Sequence, residues 1–159
     1  MLNIRRARQE DCQFIGSVHR AAVGGIRTGL YKPEELQAWA VPRKPESYEE
    51  LISSREFLVA VVDEVIVGFG VLNQSSAEVE AVYVSPAAGQ RGIGLKLLQK
   101  LEESASMLGL KMLRLNASLN AVQFYEKAGY VAEEQSKYRL LTGVEIACVP
   151  MVKSLTALS

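Results

Sequence analysis

Residues 82 to 94 read Val-Tyr-Val-Ser-Pro-Ala-Ala-Gly-Gln-Arg-Gly-Ile-Gly, which sets three glycines and an arginine between an apolar β-branched run and a helical repeat. The first amides of a helix lack intrahelical partners and carry about half a positive charge, so an anion is favoured there. Glycines let a bulky diphosphate approach the backbone. Two nucleotide motifs are poor fits. A P-loop needs Gly-x-x-x-x-Gly-Lys-Ser/Thr, but here Gly89 and Gly94 are followed by Leu95, and Lys96 comes one residue late. A dinucleotide fingerprint needs Gly-x-Gly-x-x-Gly; Leu97 stands in the third place after Gly92 and Gly94, and no βαβ unit surrounds them.

Glu78 and Glu80 lie two apart in the run leading to this turn, so on a strand both side chains point to one face. Paired carboxylates raise one another's pKa toward a value useful for a base. Tyr31, Glu34, Glu35 and Trp39 form a second constellation, in which an aromatic ring beside a carboxylate could hold an ammonium group. His19, the single histidine, has no Ser or Cys partner at recognisable spacing and reads as a packing residue. Cys12 and Cys148 stand far apart in no metal or redox spacing and read as reduced packing residues, so no metal is expected.

These residues must be positioned by a sheet with helices packed on it. Leu2 to Arg5 reads as a strand, Glu10 to about Ala22 as a helix stopped by Gly24 and Gly25, and Pro33 as the start of a second helix. A loop from Val41 to Ser47, carrying Pro42 and Pro45, leads to a third helix from about Ser47 to Ser54. Phe57 to Val62 and Val65 to Leu72 form a hairpin turning at Asp63 and Glu64, and Ala77 to Val84 adds a strand. Ile93, Leu97, Leu98, Leu101, Ala105 and Leu108 recur at helical spacing until Gly109. Leu110 to Asn116 then reads as a strand, Leu119 to Ala128 as a helix, and Tyr130 to Val152 as two strands turning at Thr142 and Gly143. The class is α+β.

The chain has 159 residues, enough for one domain with its own core, and a single domain over 1–159 is expected. Eighteen basic residues balance 18 acidic ones, so no net field favours nucleic acid or an anionic membrane, and any anion site must be local. No apolar run is long enough to span a bilayer and the charged Met1 to Arg8 is not followed by a signal-like stretch, so a cytoplasmic location is expected.

The Val82 to Gly94 segment resembles the acetyl-CoA signature of the GNAT superfamily of N-acetyltransferases, Gln/Arg-x-x-Gly-x-Gly/Ala after a Val-x-Pro strand end. Ala117 to Tyr130, with Phe124-Tyr125-Glu126-Lys127-Ala128-Gly129-Tyr130, is similar to the family's second block ending in Tyr-Glu-Lys-x-Gly-Phe. The likeness covers about residues 2 to 153. It departs at the first signature position, which falls on Gly89 with the glutamine displaced to Gln90, and at the block's usual asparagine, which is Ser118 with Asn120 two residues later.

The resemblance implies a GNAT-like fold, with a central mixed, mostly antiparallel sheet of about six to seven strands flanked by four to five helices. It implies an enzyme that moves acetyl from acetyl-CoA, as co-substrate, to a primary amine of a small molecule, amino acid or peptide by direct attack within a ternary complex. The other reading is a non-catalytic acyl-CoA sensor. Val82, Tyr83 and Val84 would pair through their backbone with the pantetheine arm. Gly89, Gln90, Arg91, Gly92, Ile93, Gly94 and Leu95 would hold the pyrophosphate, while Ser118 or Asn120, with Phe124, would complete the cofactor site. Tyr125 would be the general acid, Glu78 or Glu80 the base, and Tyr31 and Trp39 would meet the acceptor. Family members are often dimers, and the Ile146 to Val152 run is expected to offer a sheet edge for a homodimer, interrupted by Pro150.

Overall fold

The β-branched and aromatic runs build one mixed sheet. The computed structural model describes residues 1–26, 29–89 and 91–155. The strands are β1 (Leu2–Arg6), β2 (Glu56–Val62), β3 (Val65–Asn73), β4 (Glu78–Val84), β5 (Met112–Ser118), β6 (Val131–Ala132), β7 (Ser136–Arg139) and β8 (Glu145–Ser154). Their order is β1-β2-β3-β4-β5-β8-β6, with β7 also on β8. Every pair is antiparallel except β4 with β5, which with the helix between them form a parallel βαβ unit where the sequence suggests none around the glycine turn. Leu97 in the third glycine's place still sets that turn apart from a dinucleotide fingerprint. The sheet has eight strands where the sequence suggests six or seven; β6 is too short to carry a period-2 signal.

Five helices pack on it: α1 (Cys12–Gly24), α2 (Pro33–Trp39), α3 (Pro45–Ser54), α4 (Ile93–Met107) and α5 (Val122–Lys127). Pro33 and Pro45 each open a helix, where a missing N–H costs nothing. The α3 helix therefore starts two residues before the expected Ser47. Glu10 and Asp11 lie in a 3₁₀ turn ahead of α1, and the expected Leu119 to Ala128 helix is a 3₁₀ turn followed by the shorter α5.

The apolar stripe of α4, namely Ile93, Leu97, Leu98, Leu101 and Ala105, is buried against Leu58, Ala60, Leu72, Leu113 and Leu115 on one face of the sheet. Full burial of each large side chain contributes roughly 1.5–3 kcal/mol. The helix sits close because Gly68 has no side chain: a Cβ there would lie 2.9 Å from the Tyr83 carbonyl oxygen and 3.2 Å from a Leu97 methyl. On the other face Cys12, Ile15, Val18 and Tyr48 of the first and third helices cover Phe57, Val59, Phe69 and Val71. A third cluster joins Val23, Tyr31 and Trp39 to Leu140 and Ile146.

The β8 strand is hydrogen-bonded on both sides, to β5 along one and to β6 and β7 along the other. The expectation that Ile146 to Val152 is an open edge for a homodimer is therefore corrected: β7 folds back over Ile146 to Cys148, and β6 covers Met151 and Val152.

Candidate active site

Parallel pairing of β4 with β5 is limited to Glu78 opposite Arg114 and Val79 opposite Leu115. Beyond this point the strands part, leaving Glu80 to Val84 and Asn116 to Ser118 facing each other across a cleft. A register shift against β3, where Val71 faces Ala81 but Leu72 faces Val79, places a bulge at Glu80. The bulge keeps Ala81 and Tyr83 on the α1–α3 side, while Val79, Val82 and Val84 pack toward α4. Plain alternation would have put Tyr83 on the face opposite Glu78. Instead Glu78, Glu80 and Tyr83 line one cavity of about 340 Å³.

At the far end of β4 the chain turns into α4. Gly89 and Gly92 both have positive φ, 74° and 70°, and a Cβ at either would meet nothing within 4 Å. Conformation, not crowding, requires glycine at both, and the space before them is open. Gly92, the N-cap, offers no side chain to cap the helix, so the first amides of α4 have no capping partner among the described residues. Arg91 lies beside them and is exposed. Gly94 sits under the Phe124 ring, 3.5 Å from where its Cβ would be. Gln90 lies outside the described residues. Ser118 and Asn120 cap no helix through their side chains. Ser118 instead faces the cavity, and Asn120 is exposed.

The two carboxylates of β4 have different surroundings. Glu80 accepts from Arg55 Nε at 2.9 Å and from Asn73 Nδ2 at 3.2 Å, so both its oxygens are engaged. The Glu78 carboxylate has no hydrogen bond to another described residue. Burial, and then the charge of Glu80, raise its pKa, against the weaker pull of Arg114 and Arg55.

Three aromatic residues are tied across the cavity wall. The Trp39 indole N–H donates to the Tyr83 hydroxyl at 3.0 Å, and the Trp39 carbonyl lies 2.6 Å from His19 Nε2. A carbonyl only accepts, so Nε2 carries the imidazole proton. Burial lowers the His19 pKa, and nearby Arg43 and Arg20 lower it further against the carbonyl bond. The His19 ring stands edge-on to Tyr83, with centroids 4.8 Å apart. Burial pushes the Tyr83 phenol up to about 12. His19, read from the sequence as a packing residue, thus borders the cavity.

Tyr125 is buried on the α4 side against Phe124 and Tyr130, with ring centroids at 5.0 and 5.7 Å. Its hydroxyl bonds no other described residue, and burial raises its pKa well above the usual phenol value. Tyr130 anchors this corner by donating to Glu102 at 2.7 Å, a carboxylate that Lys153 also holds at 3.1 Å. Tyr31 stands behind Trp39: its hydroxyl donates to the Ala147 carbonyl at 2.7 Å and accepts from Leu119 N at 2.8 Å. Trp39 borders the cavity; Tyr31 does not. Glu35 caps its own helix by accepting from Lys32 N at 2.8 Å. Asn116, Arg43 and Cys148 also border the cavity, and sequence reading singled out none of them as site residues; only the strand register and the α2–α3 loop path bring them there.

No helix among the described residues is long and apolar enough to cross a membrane, and none of their His, Cys, Asp and Glu side chains form a group of three or more arranged for a metal ion.

The same architecture is found in solved proteins. A GCN5-related N-acetyltransferase from Rhodopseudomonas palustris, described also as a class-II aminotransferase, superposes with a TM-score of 0.88 at 28% identity, over 96% of this chain and 94% of that one. The PaiA N-acetyltransferase of Thermoplasma acidophilum, solved with coenzyme A, gives 0.78 at 24% identity, over 97% and 99%. A phosphinothricin acetyltransferase from Sinorhizobium meliloti, solved with acetyl-CoA, gives 0.73 at 18% identity, over 99% and 92%. No curated protein matches the chain in sequence. The family model for the acetyltransferase (GNAT) domain matches residues 28–155, so the parted strands, the glycine turn and the carboxylate-lined cavity are those of a chain that belongs to the GNAT acetyltransferase family.

Proposed function

We propose that this protein transfers an acetyl group from acetyl-CoA to a primary amine bound in the cavity between β4 and the α1–α3 helices. The observation that carries this reading is the parting of β4 from β5, which opens a slot running from the free Glu78 carboxylate to the glycine turn before α4. Acetyl-CoA, when bound, supplies the thioester. The uncapped amides of Ile93, Gly94 and Leu95, with Arg91, would hold its pyrophosphate, and the unpaired edge of β4 would take the pantetheine arm. Phe124 closes this side over Gly94.

Glu78 accepts the proton of the incoming ammonium, directly or through water, because its carboxylate is free and its pKa is raised. Glu80, held by Arg55 and Asn73, keeps the bulge in place and adds negative potential. Tyr125 stays protonated in its buried setting and gives its proton to the leaving thiolate. The test is thiol release from acetyl-CoA over a panel of amino acids, polyamines, aminoglycosides and peptides. Turnover with at least one amine, together with thermal stabilisation by CoA, is expected. Stabilisation by ATP but not CoA, or no thiol release across the panel, would refute it.

A further inference from the structure

We propose that the acceptor amine also carries an anionic group, such as a carboxylate, and that Arg43 and the Tyr83 hydroxyl bind that group at the end of the cavity away from Glu78. This rests on the amine-acetylation reading above and narrows its substrate class.

The cavity is electrically divided. Glu78 stands at the start of β4, and Tyr83 follows it by five positions on the same wall, a rise of at most about 17 Å at about 3.3 Å per residue, shortened by the bulge at Glu80. The Glu78 end is acidic: one carboxylate is free, and the other, Glu80, is answered by Arg55. The Tyr83 end is cationic. Arg43, on the loop between α2 and α3, borders the cavity and forms no ion pair with a described residue, yet its charge acts on His19, Tyr48 and Tyr83. None of these three can neutralise it.

Tyr83 adds a directed donor. Its oxygen accepts from the Trp39 indole, and its own O–H has no acceptor among the described residues. The Trp39 side chain is fixed from below by Tyr31, and its carbonyl holds His19, so the phenol is held for a bond rather than left to rotate freely. A guanidinium and a phenol O–H together are a carboxylate-binding pair. Phe57, Phe69 and Val71 make the floor between the ends apolar, which suits the hydrocarbon joining amine to acid. Arg139 also borders the cavity but faces Glu145 at 3.9 Å.

The experiment compares acids that carry the two charges at opposite ends of a hydrocarbon with the amines that lack only the carboxylate: 6-aminohexanoate with pentylamine, 8-aminooctanoate with heptylamine, and 10-aminodecanoate with nonylamine. Thiol release from acetyl-CoA and equilibrium binding to the CoA-loaded protein are both measured. At least one acid is expected to exceed its partner by about tenfold in kcat/KM and in affinity, with Arg43→Gln bringing that ratio near one and Tyr83→Phe reducing it severalfold. Arg139→Gln is expected to leave the ratio in place. Ratios near one for all three pairs, or a preference that survives Arg43→Gln or depends on Arg139, would overturn the proposal. If no pair releases thiol, catalysis on these amines fails. The binding ratio then decides separately: a preference for the acid that Arg43→Gln removes supports the anion site, and equal binding refutes it.

Discussion

Arg55 Nε stands 2.9 Å from Glu80 Oε1, while Glu78, two residues earlier on the same wall, has no such partner. The pair that looks equivalent in sequence is thus divided into a held carboxylate and a free one. Glu78 ionises above the ordinary carboxylate range, so kcat/KM should rise with pH through that raised value. Glu78→Gln is expected to flatten this limb and lower kcat by about 10²-fold or more, and Glu80→Gln to keep its shape. The stability effect has the opposite sign. A carboxyl whose pKa is raised on folding disfavours the native state once it is ionised, so Glu78→Gln should raise Tm at neutral pH by about a degree or more. A flat wild-type profile would remove Glu78 from the mechanism.

Tyr125→Phe deletes a hydroxyl that bonds no other described residue and leaves the ring contacts with Phe124 and Tyr130 intact. Folding and acetyl-CoA affinity should therefore change little, within about twofold in Kd, while kcat falls about 10- to 100-fold. Stopped-flow binding beside steady-state turnover separates the two quantities. Unchanged kcat would leave Tyr125 as a packing residue.

The turn before α4 separates two uses of glycine. Gly92 adopts a left-handed φ of 70° that an alanine resists, by about 1–2 kcal/mol. Gly92→Ala should weaken CoA binding about 5- to 30-fold by tilting the first amides of α4 away. A Cβ on Gly94 would make only ordinary contact with Phe124 at 3.5 Å, so Gly94→Ala should stay within about threefold. Isothermal titration with CoA measures both. Equal losses would mean that space, not backbone geometry, governs the cradle.

The glycine turn was legible because local chain chemistry determines it: positive φ needs glycine, and α4 declares itself by apolar spacing, whereas the Phe124-Tyr125 block was read only through its resemblance to the family's second block. The sheet was legible for the same reason, apart from the two-residue β6. The cavity wall was not. Tyr83 joins Glu78 only because a bulge shifts the alternation at Glu80, and nothing in Glu-Val-Glu-Ala-Val-Tyr announces a bulge. Arg55 reaches Glu80 across 25 residues and Trp39 reaches Tyr83 across 44, so tertiary packing chooses both partners. The covered edge of β8 has the same origin, since pairing with β7 depends on where the hairpin folds back.

Stability should depend most sharply on acid at a site far from the chemistry. Asp11 is buried and accepts Arg5 Nη1 at 2.8 Å, Arg5 Nη2 at 3.0 Å and Arg8 N at 2.8 Å, tying β1 to the start of α1. The Arg5 bonds hold its pKa below the usual carboxylate value despite the cost of burial. A depressed folded pKa contributes stability that is present above the unfolded pKa, about 3.9, and is lost as pH falls through the folded one. Asp11→Asn keeps the shape but leaves Arg5 uncompensated, at a cost of about 2–3 kcal/mol near neutrality and about 5–10 °C in Tm. The gap in Tm between wild type and Asp11→Asn should therefore be constant from about pH 7 to pH 5 and shrink below about pH 4, as the wild-type carboxyl takes up its proton. A gap that persists unchanged to pH 3 would show that shape, rather than charge, is what Asp11 supplies.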